Sequence, residues 1–261
     1  MELGATGVEV RDRTTMQKGP GDGRVRVVGW FSTRIEAERA QRELDGVVEE
    51  LVGDAWRDAY KEHFKPFALT DELWVCPPWE LIEGALVLDP GRAFGTGLHA
   101  TTSLVSAQLD RRREAYHDAA VLDVGTGSGI LALAALRFGA SRAVATDNDP
   151  EVLEVVAENA ARNGLDDRLE VSTTDVREVP GAYSFVVANI RAPVLIAMAE
   201  ALRERTSGWL VLSGVLASEE AEVRAAFVAT GLDHVETTRR DEPGPHEGKP
   251  DAWTAIVLRK P

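Results

Sequence analysis

The chain has 261 residues, with 29 Lys and Arg against 43 Asp and Glu, so its formal net charge is −14. This length suits one substantial α/β domain with a small accessory domain. Such acidity disfavours free nucleic acid as a direct partner; it favours a basic protein partner or serves solubility alone. The one cysteine, Cys76, excludes an internal disulfide and a cysteine-based metal cage, and the five histidines lack the paired spacing of zinc sites.

The sequence shows no membrane or export segment. No apolar run approaches the roughly 20 residues needed to span a bilayer. The first residues, "MELGATGVEVRDRTT", lack the basic and apolar regions of a signal peptide. We therefore expect a cytoplasmic protein without a membrane anchor.

The first 50 residues predict a small α+β unit of strand, strand, helix and strand. The first two strands cover 5–12 and 25–32, and a helix over 33–46 has apolar residues at helical spacing before Gly46. The segment 54–67 predicts a linking helix. The short strand "ELWVCP" follows and ends at Pro77-Pro78.

From Val121 the pattern alternates between strand and helix, as in a parallel doubly wound sheet. Five strands are predicted: "AVLDVG", "RAVATDND", "RLEVSTTD", "YSFVVANI" and "GWLVLSGVL". Helices "GILALAALRFGA" and "PEVLEVVAENAARNG" follow the first two strands. In the second helix Asp149 is the predicted N-cap, Pro150 the first helical residue and Gly164 the stop. The segments "HVETTRRD" and "DAWTAIVLRK" predict a closing antiparallel pair.

The stretch "VLDVGTGSGILALAALRFGA" passes from strand to helix through Gly125, Gly127 and Gly129. Glycines permit close approach of a ligand that a Cβ would block, and the helix start offers N–H groups. The turn is not a P-loop, because no Gly-Lys-Ser/Thr follows, and its spacing is not GxGxxG. By itself it leaves several ligands open.

Asp147 ends the next strand, 22 residues after Gly125. This spacing is typical of a carboxylate that accepts hydrogen bonds from ribose hydroxyls. Capping of the following helix is the alternative, but Asp149 suffices for that. The two features together indicate S-adenosylmethionine (AdoMet), with NAD as the lesser possibility.

A further motif lies upstream, "LDPGRAFGTGLHATTSLV" at 88–105. Together with the glycine turn, "ATDNDP", "VVANI" and "LSGVLASE", it resembles the PrmA family, from about residue 5 to the C-terminus. Members methylate the large-subunit ribosomal protein at the base of the factor-binding stalk. The resemblance implies a Rossmann-like class I methyltransferase with a seven-stranded, mostly parallel sheet. It further implies a monomer that uses AdoMet to methylate lysine and α-amino groups of that basic protein.

The resemblance also assigns site residues. It places AdoMet against Thr102, Gly125, Gly127, Asp147 and Asn189. Asp175 would contact adenine, on the basis of its place after the third strand, and a polar side chain that simply faces solvent explains it nearly as well. The backbone of Phe94-Gly95-Thr96-Gly97 would form a flexible lid over cofactor and amine.

Methyl transfer from a sulfonium needs positioning and desolvation more than a strong catalytic group. A lysine, with a reference pKa of roughly 10.4, must first lose its proton. We expect Asn189 to accept a hydrogen bond from this amine; a structural role at the strand end is the alternative. His99 is either a general base or a brace for the loop, and the brace is favoured. Phe94, Trp74 and Trp79 are candidates for cation–π contact with a partly methylated amine, with plain packing as the alternative.

The implied domains are a substrate-recognition domain over 1–53, a linker helix and strand over 54–80, and a methyltransferase domain over 81–261. Family members generally carry a strand and a helix before "GATGVEV", where this chain begins. We therefore expect that the recognition domain is truncated or that the true start lies upstream.

Other functions remain open at this point. The same chemistry could act on another protein or a small amine, but "ANIRAP" replaces the "NPPY"-type motif of glutamine and nucleobase methyltransferases. A non-catalytic AdoMet-binding, ribosome-associated module is the alternative of another class. The "FGTGLHATT" loop counts against it, because a pure binder needs no lid over a second substrate. A dehydrogenase is the third alternative.

Overall fold

The computed structural model describes residues 7–11, 26–30, 34–44, 64–89, 97, 99–242 and 251–261. By its contacts the chain divides into two units, Met1–Tyr60 with Pro243–Lys249, and Lys61–Glu242 with Pro250–Pro261. The described elements of the first unit are strand β1 (Gly7–Arg11), antiparallel strand β2 (Arg26–Trp30) and helix α1 (Arg34–Leu44). These confirm the two predicted strands and the helix. The strand predicted after Gly46 lies outside the described residues.

The second unit begins with a small three-stranded sheet. Its strands are β3 (Phe67–Ala68), β4 (Trp74–Cys76) and β5 (Leu86–Val87), with β4 in the middle. The strand predicted at "ELWVCP" is confirmed. The helix predicted over 54–67 is wrong at its described end, because 64–66 are not helical and Phe67 pairs with Val75. Pro66 accounts for this, since proline disfavours helical conformation in the preceding residue.

The main sheet has seven strands: β6 (Ala120–Val124), β7 (Arg142–Thr146), β8 (Leu169–Ser172), β9 (Tyr183–Asn189), β10 (Thr206–Leu216), β11 (Asp233–Glu242) and β12 (Asp251–Arg259). Their order in the sheet is β11-β12-β10-β9-β6-β7-β8. Strands β6 to β10 run parallel, and β12 pairs antiparallel with β10 and β11. This confirms the mostly parallel sheet and the closing antiparallel pair.

The described residues of this unit form six α-helices: α2 (Ala100–Arg111), α3 (Ile130–Arg137), α4 (Pro150–Arg162), α5 (Ala192–Ala197), α6 (Ala199–Arg205) and α7 (Glu220–Ala229). A short 3₁₀ helix, Arg113–Ala115, follows α2. The predicted limits of α4 are confirmed. Asp149 Oδ1 accepts the Glu151 N–H at 2.9 Å, and the helix ends two residues before Gly164. Within the described parts of the chain, no helix is long and apolar enough to cross a membrane.

The core explains why the central strands and α3 are so apolar. Every residue of β6 after Ala120 is buried, as are the seven residues of α3 from Ile130 to Leu136. Strands covered on both faces and a helix that is apolar all round belong in such an interior. The carboxyl ends of these strands are therefore held by a packed core.

The chain reverses its winding direction between β6 and β9. From β6 the sheet extends through β7 to β8, whereas β9 lies on the other side of β6 and continues to β10. In open α/β sheets, ligands bind outside the carboxyl ends of the strands at such a switch point. This locates the candidate site.

Candidate active site

The predicted residues meet at the carboxyl ends of three neighbouring strands. Strand β6 pairs in register with β9 through Val124 and Ala188, and with β7 through Val124 and Thr146. The residues that come next in each strand are therefore neighbours: Gly125, Asn189 and Asp147. The register of a parallel sheet thus assembles residues that are far apart in sequence.

Gly125 begins the turn in a conformation that requires glycine. Its φ is +72°, and a Cβ there would lie 2.3 Å from Ile190 Cγ2. Its N–H donates to the Thr146 carbonyl at 2.8 Å. The turn is therefore packed directly onto the start of the segment that follows β9, and no side chain fits at this position.

The Asp147 carboxylate bonds the glycine turn and can still accept further hydrogen bonds. Its Oδ2 accepts the Gly127 N–H at 3.0 Å, and its Oδ1 accepts the Asp149 N–H at 3.1 Å. An ionised carboxylate has about four acceptor positions, so two remain for a ligand. The carboxylate is half-buried at the carboxyl end of β7, which is a suitable place for ribose hydroxyls.

Asp123, a residue that sequence analysis missed, lies in β6 just before the turn and is fully buried. Its Oδ2 accepts from Thr126 Oγ1 at 2.7 Å and from the Ala132 N–H at 3.2 Å, and Oδ1 has no partner among the described residues. Burial raises the pKa of Asp123 to about 7, although these two hydrogen bonds lower it, and the charge of Asp147 adds to the rise. The sequence feature that could have identified Asp123 is a single acidic residue within an otherwise apolar strand.

Thr102 and Asn189 also come together. Thr102 lies in the first turn of α2 and is 3% exposed. Its Oγ1 accepts from Asn189 Nδ2 at 3.5 Å, across 87 positions of sequence. The Asn189 amide oxygen accepts no hydrogen bond from any described residue and remains available as an acceptor.

His99 is the N-cap of α2, and both ring nitrogens have partners. Nδ1 lies 2.8 Å from Thr101 Oγ1, and Nε2 lies 3.1 Å from Glu242 Oε2. The ring packs edge-on against Trp253 with centroids 4.6 Å apart. Glu242 Oε1 also accepts the Ala100 N–H at 2.6 Å. These contacts support the brace over the general base.

Of the predicted lid, Gly97 is described, whereas Phe94, Gly95 and Thr96 lie outside the described residues. Gly97 is buried with a φ of +83°, and a Cβ there would lie 2.4 Å from Ile130 Cδ1 and 2.7 Å from Phe67 Cζ. Ile130 is the first residue of α3. Gly97 therefore lies directly against the helix that follows the glycine turn.

The remaining candidates have local partners. Asp175 is exposed, accepts the Arg177 N–H at 2.8 Å and pairs with Arg177 Nη1 at 2.9 Å, as expected of a surface turn. Trp74 is exposed in β4, and Trp79 packs edge-on against Phe64 at 6.3 Å. The adenine and cation–π roles stay predictions. In the part of the chain described, no group of three His, Cys, Asp or Glu side chains is placed to hold a metal.

The site fits AdoMet: a turn that excludes side chains, a carboxylate with spare acceptors and an amide oxygen lie together at the switch point. This fold and site define a class I AdoMet-dependent methyltransferase. The sequence profile described as ribosomal protein L11 methyltransferase (PrmA) matches residues 26–256. The chain belongs to this family, and the predicted methyltransferase class and cofactor are thereby confirmed.

Individual relatives support the assignment of the chain to this family. The chain is 48% identical, over its whole length and 90% of the relative's, to a ribosomal protein L11 methyltransferase of Sorangium cellulosum. It is 41% identical to that of Myxococcus xanthus, over 88% of this chain and 85% of the relative. The crystal structure of a ribosomal protein L11 methylase from Lactobacillus delbrueckii subsp. bulgaricus matches with a TM-score of 0.65 at 29% identity. It covers 76% of this chain and all of the other.

Proposed function

We propose that this protein transfers methyl groups from AdoMet to lysine and α-amino groups of ribosomal protein L11. The observation that carries the proposal is the placement of Asn189, which neighbours the glycine turn in the sheet and is tied to Thr102 of α2. The names of the relatives support L11 as the substrate.

The residues at the switch point divide the work of holding the cofactor. Asp147 would accept the ribose hydroxyls, and Gly125 and Gly127 would lie against the methionine part. Thr102 would contact it from α2. When bound, AdoMet supplies a methyl group already activated by the sulfonium, so the protein itself needs no strong electrophile.

The incoming amine must be neutral before it can attack. A free lysine has a pKa of roughly 10.4, and desolvation next to a positive charge favours its neutral form. The Asn189 amide oxygen would accept one N–H of this amine and so orient its lone pair. Thr102 would fix the amide through its hydroxyl, which makes Thr102 a positioning residue.

We further propose that the predicted recognition domain, 1–53, recognises the substrate. In α1 the side chain of Leu44 is 66% exposed, an apolar residue available for contact with a partner. The variant Leu44→Asp is expected to raise KM for L11 and to leave AdoMet affinity unchanged. A KM equal to that of the wild type would count against α1 as part of the recognition surface.

The test of the activity is the intact mass of purified L11 after incubation with the protein and AdoMet. We expect whole-methyl increments with the wild type. With Asn189→Ala we expect transfer to fall on the order of 10²-fold, as for a misplaced reactant, with a smaller loss of AdoMet affinity. Absence of increments despite AdoMet binding by the wild type would count against methylation of L11 by this chain. Normal transfer by Asn189→Ala would exclude the role of Asn189.

A matched pair on α2 tests the positioning by Thr102. Thr102→Val keeps the shape but removes the acceptor of the Asn189 N–H, so kcat should fall while the fold is kept. Ser106→Ala on the same helix is the control, because the buried Ser106 hydroxyl has no hydrogen-bond partner among the described residues. If Thr102→Val kept the same kcat as Ser106→Ala, Thr102 would have no positioning role in the reaction.

A further inference from the structure

Asn159 in α4 uses every hydrogen-bonding position of its amide. It is fully buried. Its Nδ2 donates to the Asp89 carbonyl and to the Ser128 carbonyl, both at 3.0 Å. Its Oδ1 accepts the Asp89 N–H at 2.9 Å and Arg162 Nη1 at 3.1 Å. With two donors and two acceptor positions, the amide is saturated.

These bonds join two parts of the chain that are far apart in sequence. Ser128 belongs to the glycine turn, and Asp89 is the last described residue before the "PGRAFGTGLHATT" segment. Asn159 bonds both backbone groups of Asp89, as a neighbouring strand would. One side chain therefore holds the glycine turn and the approach to the motif in a fixed relation.

Asn163, one helical turn further on, provides a comparison. Its Oδ1 accepts the Val87 N–H at 2.9 Å, and its Nδ2 donates to the Val87 and Asn159 carbonyls, both at 2.7 Å. It thus bonds the same segment two residues earlier, but it makes no bond to the glycine turn. The two asparagines share the task of anchoring 87–89 to α4, and only Asn159 adds the bond to Ser128.

General stability does not explain a fully buried asparagine in a helix. Asparagine has poorer helix propensity than alanine, and a buried amide costs free energy unless all its bonds are made. An apolar side chain at this position would leave the Asp89 N–H and the Asp89 and Ser128 carbonyls without these bonds. The amide is suited instead to fixing the direction and spacing of the backbone groups that it bonds.

We propose that Asn159 is a positioning residue that sets the glycine turn for AdoMet by holding the Ser128 carbonyl against the backbone of Asp89. The proposal rests on the AdoMet site of the proposed function. It does not depend on L11 as the substrate, because its consequence is the affinity for AdoMet itself. Asn159 acts through the turn and is not a catalytic residue.

The experiment compares Asn159→Asp with Asn163→Asp in the full chain. Each change keeps an acceptor oxygen and removes the two bonds donated by Nδ2. Arg162 already bonds the Asn159 oxygen and would offset the new charge there. We expect AdoMet affinity, measured by calorimetry, to fall about tenfold or more in Asn159→Asp, as for one lost buried hydrogen bond. In Asn163→Asp it should stay within about threefold of wild type, although both variants unfold at lower temperature.

Hydrogen exchange without AdoMet supplies a second readout. Asn159→Asp should accelerate exchange in both 125–133 and 86–89, and Asn163→Asp in 86–89 alone. If either aspartate variant fails to fold, Asn159→Ala and Asn163→Ala replace the pair with the same expectations. Equal loss of AdoMet affinity in both variants, or unchanged exchange in 125–133, would overturn the proposal. If the wild type bound no AdoMet, the proposed function would fail, and the exchange pattern would still decide the role of Asn159.

Discussion

His99 Nε2 lies 3.1 Å from Glu242 Oε2, so the end of β11 is tied to the N-cap residue of α2. Both side chains are partly exposed, and a polar contact at such a site contributes at most about 1 kcal/mol to stability. Its importance is therefore geometric. The same carboxylate accepts the Ala100 N–H, so Glu242 fixes the first turn of α2, in which Thr102 lies.

A general base and a brace predict different outcomes for His99→Asn. Asparagine is a strong N-cap and can replace the ring as acceptor for the Thr101 N–H. We expect single-turnover methyl transfer to stay within about tenfold of wild type, whereas loss of a general base would cost ~10²–10⁴-fold. Glu242→Gln is the companion variant and should behave alike. A loss in the larger range for His99→Asn alone would establish the base.

Gly125→Ala should disrupt the turn. The positive φ costs an alanine about 1–2 kcal/mol, and the added Cβ meets Ile190 Cγ2 at 2.3 Å. We expect a lower midpoint of thermal unfolding together with a loss of AdoMet affinity of about tenfold or more, as for a displaced binding group. Gly164→Ala is the control: its φ is +63° and nothing lies within 4 Å of the new Cβ. Gly164→Ala should lower the midpoint of thermal unfolding and leave AdoMet affinity unchanged. An equal loss of AdoMet affinity in Gly164→Ala would contradict the assignment of Gly125 to the AdoMet site.

The two carboxylates assigned to AdoMet can be separated by Asp147→Asn and Asp175→Asn. Asp147 gives its ligand a charged acceptor, and hydrogen bonds to charged groups are worth about 1.5–3 kcal/mol. We expect AdoMet to bind about 10–100-fold more weakly to Asp147→Asn. Asp175→Asn should bind AdoMet as the wild type does, since the Asp175 carboxylate already serves the Arg177 turn. A comparable loss in both variants would support the adenine contact.

The buried Asp123 predicts a pH dependence of stability. Its pKa is about 7 in the folded protein, against a reference value of 3.8. Between these values the folded state holds a proton that the unfolded state has released. The contribution of this group to the unfolding free energy therefore falls as pH rises from about 4 to about 7, by a few kcal/mol at most, and is constant above that range.

Urea unfolding at several pH values checks this prediction. The variant Asp123→Asn cannot ionise at this position, so its unfolding free energy should fall less than that of the wild type between pH 5 and pH 7.5. Asp166→Asn is the matched control, because the Asp166 side chain is exposed. Identical pH profiles for the wild type and Asp123→Asn would show that the carboxyl does not carry its proton into the folded state.

Local signals in the sequence were sufficient for most elements of the fold. Alternation of apolar strands and helices predicts the doubly wound sheet, and the Asp149-Pro150 start with the Gly164 stop predicts α4 to within two residues. The prediction of the linking helix is wrong over 64–67, because the helical pattern of the sequence continues through Pro66. Glycine spacing and the position of Asp147 identified the site region, since both are set within one β-α-β unit.

By itself, then, the sequence determined the strands of the main sheet, the helices α1, α3 and α4, the family and the residues that stand at strand ends. These depend on side-chain periodicity, caps and turns, which act between residues close in the chain. Only the tertiary structure decided which distant groups meet: Thr102 with Asn189, His99 with Glu242, and Asn159 with Asp89 and Ser128. Such contacts arise because sheet register and helix packing bring together side chains whose spacing in sequence carries no local signal.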